Sequence, residues 1–173
     1  MEEKENPYVE IARRAVESYV KEGKEIDVED APGVLREKKA GAFVCLKIDG
    51  ELRGCIGTIM PVRENLAEEI RNNAISSATT DPRFIPVKPK ELDKLQYSVD
   101  VLEPPEDIGD ASCLDPKVYG VIVRSGVRTG LLLPDLKGVD TPEEQLRIAS
   151  TKAGIRAGEP ISLQRFKVTR HGE

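Results

Sequence analysis

Apolar and polar positions along the chain fall into segments of two different periods. Tyr8, Ala12, Ala15, Val16 and Tyr19 recur at three- and four-residue steps, between Asn6-Pro7 at one end and Gly23 at the other. An N-cap residue, Pro at the first helical position and a terminal Gly predict an amphipathic helix. After a polar linker from Lys24 to Lys39, Gly41–Ile48 (GAFVCLKI) and Glu51–Gly57 (ELRGCIG) read as strands joined by Asp49-Gly50. That dipeptide is the strongest two-residue hairpin signal, because both central residues of a type I′ turn take positive φ. The turn sets a register in which Leu46 faces Arg53, Cys45 faces Gly54 and Val44 faces Cys55. Cys45 and Cys55 are then expected on opposite faces, unable to bond within the hairpin. Phe43, Leu52 and Ile56 on one side and Val44, Leu46 and Ile48 on the other predict a sheet covered on both faces.

Val62, Leu66, Ile70, Ala74 and Ala78 form a four-residue stripe and predict a helix over 62–79, ended by Asp81-Pro82-Arg83-Phe84. Tyr97–Leu102 alternates like a half-buried strand. A second hairpin is expected over Gly120–Leu133, with Ser125-Gly126 at its turn. Thr141-Pro142-Glu143-Glu144 is a capping box that opens a helix over 142–153, and Ile161–Val168 reads as the last strand. The second strands of the two hairpins share Gly50-Glu-Leu-Arg53-Gly54 and Gly126-Val-Arg128-Thr-Gly130, which a duplication and recurrent hairpin chemistry both explain. The expected fold is α+β: an antiparallel, hairpin-based sheet with packed helices, two unequal lobes within one domain over 1–173.

Composition narrows the function. At 173 residues the chain is about one domain and needs no disulfide or metal to be stable. A net charge of -5 and only seven aromatic residues argue against nucleic acid, although a local basic patch would survive that objection. No apolar run reaches the ~20 residues of a membrane span, and the start MEEKENPY has no signal-peptide core, so a cytoplasmic location and no membrane contact are expected. Four Asn, three Gln and two Met in a chain this charged fit a thermophile's composition. Three scattered cysteines and one histidine, His171 near the C-terminus, offer no metal-ligand spacing, so no metal site is expected. No phosphate-binding glycine loop is present, and nothing names a cofactor.

Arg53-Gly54-Cys55 is the best candidate for chemistry. Same-face neighbours on a strand lie about 6.6 Å apart, so the Arg53 guanidinium could favour a Cys55 thiolate. Gly54 and Gly57 thin the protein around that sulfur. The bland reading is a buried cysteine beside glycines that admit a neighbouring helix. Asp81 and Arg83 are either a carboxylate and guanidinium at a cleft rim or a self-paired turn anchored by Phe84. Lys152 complements the end of the last helix or binds substrate.

GAFVCLKIDGELRGCIGT, ATTDPRF, YSVDVL, GVIVRSGVRTGLLLP and STKAGI, in this order, resemble the AMMECR domain family over about Tyr8 to Phe166. LRGCIG is the most specific element. The resemblance implies a mixed α+β domain of two unequal lobes, partners among Memo-like and radical SAM proteins, and a functional role for the segment matching Leu52–Gly57. It carries over Arg53 and Cys55 as candidate catalytic residues. Gly54, Gly57, Thr58, Asp81, Arg83 and Lys152 follow as candidate binding residues. It brings no established activity, substrate or cofactor. Ala149-Ser150-Thr151 stands where many relatives carry a cysteine, which counts against a mechanism with two thiols from those segments. Two functions follow: an enzyme or enzyme-system component with Cys55 in a cleft, or a noncatalytic module that binds a protein or nucleic acid.

Overall fold

Asn6 opens the first helix through its side-chain oxygen, which accepts from the Tyr8 amide; Pro7 holds the first turn and Gly23 ends the helix in the left-handed conformation. This is α1 (Pro7–Glu22). The computed structural model describes residues 4–172. The chain divides into two units, one running to Leu102 and resuming at Thr169, the other holding Glu103–Val168.

In the first unit follow α2 (Gly33–Glu37), β1 (Ala42–Ile48), β2 (Glu51–Gly57), α3 (Leu66–Thr79) and β3 (Leu95–Leu102). With β8 (Val168–Gly172) they build a sheet of order β2-β1-β3-β8, in which β1 is antiparallel to both its neighbours. One face carries Ala42, Val44, Leu46, Val99 and Val101 into a core with Ile11, Ala15 and Val16 of α1 and Leu66, Ile70 and Ala74 of α3. On the opposite face Ser98 and Asp100 are buried and Phe43, Cys45 and Lys47 half-buried, so neither face is fully solvated. Leu52, expected to be covered, is 41 % exposed at the start of the edge strand.

The second unit holds β4 (Glu106–Ile108), β5 (Gly120–Ser125), β6 (Arg128–Leu132), α4 (Pro142–Ala153) and β7 (Ser162–Phe166). Its antiparallel sheet has the order β4-β7-β5-β6, and Ala149 of α4 joins Val121, Val123, Leu132 and Leu163 in a separate core. Ser125 pairs with Arg128, so the turn is Gly126-Val127, one residue beyond the expected place.

Four other features depart from what the sequence pattern predicts. The polar linker contains α2. The helix expected from Val62 begins at Leu66, because Asn65 takes the cap by accepting from the Glu68 amide. Strand β4 is too short to show a period. Strand β8 has no apolar alternation and is fastened instead by Arg170, whose Nε and Nη2 donate to the buried Asp100 carboxylate at 2.7 and 2.8 Å. His171, near the C-terminus, stacks on Tyr8 with ring centroids 3.7 Å apart.

The main correction concerns the first hairpin. Asp49 and Gly50 take positive φ and pair Ile48 with Glu51 and Lys47 with Leu52, as the turn predicts. The register then slips at a bulge: Leu46 pairs with Gly54, leaving Arg53 as the extra residue. A one-residue slip moves every later side chain to the other face. Gly54 and Ile56 therefore join Val44 and Leu46, while Cys55 lies directly opposite Cys45. The two cysteines form a disulfide, with Cα atoms 4.1 Å apart. The expectation that they could not bond rested on a bulge-free ladder and fails with it.

Candidate functional site

The LRGCIG strand is an edge strand, and side chains from α3 and the loop that follows bind its backbone, carbonyls of the neighbouring β1 and its exit loop. Glu69, Asn73, Ser77 and Asp81 recur every four residues, and all four are buried. Glu69 accepts from the Thr58 hydroxyl and from the amides of Val62 and Arg63, which shapes the loop leaving β2. Asn73 donates to the Ala42 carbonyl at 2.8 Å and to the Thr58 hydroxyl oxygen. Ser77 accepts from the Ile56 amide at 2.9 Å, and its own proton is within reach of the Val44 carbonyl at 2.6 Å. Asp81 accepts from the Cys55 amide at 3.0 Å. An edge strand with open N–H and C=O groups invites pairing with other chains. Here Asp81 and Arg83 take the outward amide and carbonyl of Cys55, while Ser77 and Asn73 bind carbonyls of β1 between the two strands and Glu69 binds the exit loop.

Gly54 makes the approach of α3 geometrically feasible. A Cβ at Gly54 would lie 2.2 Å from the Ser77 carbonyl oxygen, far inside contact distance. Gly130, the matching glycine of the second hairpin, stands in the same relation to the helix after it, with a Cβ placed 2.0 Å from the Ala149 carbonyl oxygen. The motif shared by the two hairpins is thus a packing device in both units: a glycine where a helix backbone presses on a strand. Gly57 serves a different contact, since a Cβ there would meet the Phe43 ring at 2.3 Å.

Asp81 and Arg83 meet Cys55 through its backbone. Arg83 donates through Nε and Nη2 to the Asp81 carboxylate at 3.0 and 2.8 Å, and its Nη2 also donates to the Cys55 carbonyl at 3.2 Å. The Cys55 amide and carbonyl therefore both point away from β1. This marks Cys45 and Cys55 as a non-hydrogen-bonded pair, the kind in which Cα atoms approach to about 4.5 Å. The Arg83 guanidinium beside Asp81 holds its carboxyl well below the usual carboxylate range; burial opposes this, and the amides of Cys55 and Arg83 add to it.

Arg53 is engaged elsewhere. As the bulged residue it donates through Nε and Nη2 to the Glu91 carboxylate at 3.0 and 3.2 Å, with both side chains largely covered. Glu91 in turn accepts from the Lys88 amide at 2.7 Å, and the Arg53 ion pair holds its carboxyl below the ordinary value. Both guanidiniums lie over the Phe84 ring, that of Arg53 at 5.9 Å and that of Arg83 at 5.5 Å from its centroid. The same-face argument linking Arg53 to the Cys55 sulfur does not survive the bulge.

Of the candidate residues, Arg53, Gly54, Cys55, Gly57, Thr58, Asp81 and Arg83 all belong to the first unit and converge on β2 and its exit loop. Lys152 belongs to the second unit, where its ammonium donates to the Leu131 carbonyl at 2.9 Å. Sequence reasoning missed Glu69, Asn73, Ser77 and Glu91. Among the described residues no three His, Cys, Asp or Glu side chains are grouped to hold a metal ion, and no helix is long and apolar enough to cross a membrane. Replacing Glu91 with Gln is expected to cost about 1 kcal/mol, read as a small fall in denaturation midpoint, because the pair is partly screened by solvent.

Comparison with known proteins gives one consistent result. Residues 9–171 match the model of the AMMECR1 family. A Thermotoga maritima protein is 56% identical over 170 residues, covering 96% of this chain and 98% of its own length. A Clostridium acetobutylicum protein is 49% identical over 175 residues, 99% of this chain, yet the match spans only 37% of that longer protein. A crystal structure of an uncharacterised Pyrococcus horikoshii protein superposes with a TM-score of 0.88 at 38% identity, covering 94% of this chain and 88% of that one.

Proposed function

Since this chain belongs to the AMMECR1 family, we propose that it works as a noncatalytic component of an enzyme system, docking a protein partner along its LRGCIG edge. The observation that carries this reading is that the candidate catalytic side chains are matched to one another or to the backbone. Arg53 holds Glu91, Arg83 holds Asp81, and the sulfur of Cys55 is bonded to Cys45. A Cys55 nucleophile with Arg53 as its cation would require both side chains to be released first.

The surface beside these residues suits a protein. Leu52 precedes Arg53 and is 41 % exposed, and Ile85 follows Phe84 and is 67 % exposed. Isolated apolar side chains flanked by ion pairs resemble the anchors and rim of a protein interface more than a substrate cleft. The Clostridium relative, in which the matched region is joined to a longer chain, also supports a component role. Memo-like and radical SAM proteins are the partners to which the family resemblance points.

The test is to purify this chain with a Memo-like protein and, separately, with a radical SAM protein, and to measure complex formation by light scattering. A complex with one of them is expected, weakened at least about tenfold by Leu52→Glu or Ile85→Glu, a loss of roughly 1.4 kcal/mol. Both variants should melt like the parent chain. If neither protein binds, or if binding ignores both substitutions, the docking reading fails.

A further inference from the structure

We propose that Cys45 and Cys55 are a redox-active pair that exchanges with low-molecular-weight disulfides, a chemistry separate from whatever docks at the edge. The two cysteines stand opposite one another in adjacent strands, on the sheet face away from the hydrophobic core, and both are half-buried. Their placement does not depend on the bond between them. Cys45 sits in β1, held between β2 and β3, and the amide and carbonyl of Cys55 are held by Asp81 and Arg83. The thiols therefore stay face to face when the bond is open.

A purely structural role explains the pair poorly. A disulfide stabilises chiefly by closing a loop that would otherwise be open, and the effect grows with loop length. Here the separation is only 10 residues, so the loop closed in the unfolded chain is short and the gain is smaller than for a long-loop disulfide. The folded hairpin is held independently by its Asp49-Gly50 turn and by β3 and α3. A preorganised dithiol, in contrast, suits reversible exchange, because the second thiol is always positioned to resolve the first.

The exchange balances as follows. The thiolate of one cysteine attacks a sulfur of the incoming disulfide, whose S–S bond breaks and releases one thiolate, leaving a mixed disulfide. The second cysteine, as thiolate, attacks the protein sulfur of that mixed disulfide and expels the other thiolate. The Cys45–Cys55 bond is formed, the pair is oxidised by two electrons, and the incoming disulfide is reduced to two thiols that carry the two protons. The reverse sequence opens the pair. Cys113, exposed and free, has no partner thiol and cannot complete the second step.

The test equilibrates the folded chain in mixtures of reduced and oxidised glutathione, followed by acid quench, alkylation and peptide mass spectrometry. Cys45 and Cys55 are expected to open and close together, passing from one-tenth to nine-tenths reduced over about an 80-fold change in [GSH]²/[GSSG]. The circular dichroism should stay constant throughout. In Cys45→Ser, Cys55 should retain a glutathione adduct at ratios where the parent chain carries none. A pair that opens only in denaturant, or two thiols that remain reduced at every ratio, would overturn the proposal.

Discussion

Gly54→Ala is expected to lower stability by about 3 kcal/mol, the upper end of the usual cost of overpacking. For a chain of this size that is roughly 6–12 °C in melting midpoint. The cause is local and backbone-deep: the added Cβ would sit 2.2 Å from the Ser77 carbonyl oxygen. No rotamer change can relieve this, so α3 must move off β2 and the polar ladder must stretch with it. Gly130→Ala is expected to act alike in the second unit, where the clash is with the Ala149 carbonyl at 2.0 Å. Gly109→Ala is the control, because its Cβ would meet nothing within 4 Å and its φ is ordinary. It should change stability by less than about 0.5 kcal/mol. A Gly54→Ala variant as stable as the Gly109→Ala control would show that α3 does not press on the LRGCIG strand.

Asp81→Asn carries the second large effect, about 2 kcal/mol, the typical cost of leaving buried charged and amide donors poorly matched. The Asp81 side chain is only 2% exposed and accepts from the Cys55 amide and from Arg83 through three nitrogens. The direction of its pKa fixes the pH dependence. Folding holds the Asp81 carboxyl well below its unfolded value of about 3.9, so the folded state prefers the ionised form. Its contribution is complete above the unfolded pKa and is lost as pH falls below that value towards the folded one. Denaturant midpoints measured from pH 7 down to pH 3 should therefore fall more steeply for the parent chain than for Asp81→Asn. Parallel pH curves would contradict the role given to this carboxylate.

Much of the fold is legible because its signals are local. Asn6-Pro7 and Gly23 bound α1, Thr141 and Gly154 bound α4, and Asp49-Gly50 makes the turn whatever surrounds it. The bulge is not legible, because its causes are distant in sequence: Glu91 binds Arg53 from 38 residues away, and the Ser77 carbonyl sits where a Gly54 side chain would be. That single slip carried the faces of Gly54, Cys55 and Ile56 with it and hid the disulfide. The polar ladder was in plain view as a four-residue repeat, Glu69, Asn73, Ser77 and Asp81, beside the apolar stripe of Leu66, Ile70, Ala74 and Ala78. Polar side chains on an amphipathic helix ordinarily face water. Only the position of the hairpin reveals that these four face backbone. In the candidate site, Asp81 and Arg83 hold the Cys55 peptide and leave its sulfur to Cys45, which no spacing in the sequence reveals.

In the proposed role the LRGCIG edge works by its shape and not by a Cys55 nucleophile. The most direct measurement is calorimetric titration of the bound partner into the Cys45→Ser/Cys55→Ser double variant, beside the parent chain and Leu52→Glu. The double variant is expected to bind within about twofold of the parent, under roughly 0.5 kcal/mol, while Leu52→Glu loses at least about tenfold. A double variant that keeps its fold but loses binding a hundredfold, with Leu52→Glu unaffected, would place the function in the sulfur and rule out docking by shape.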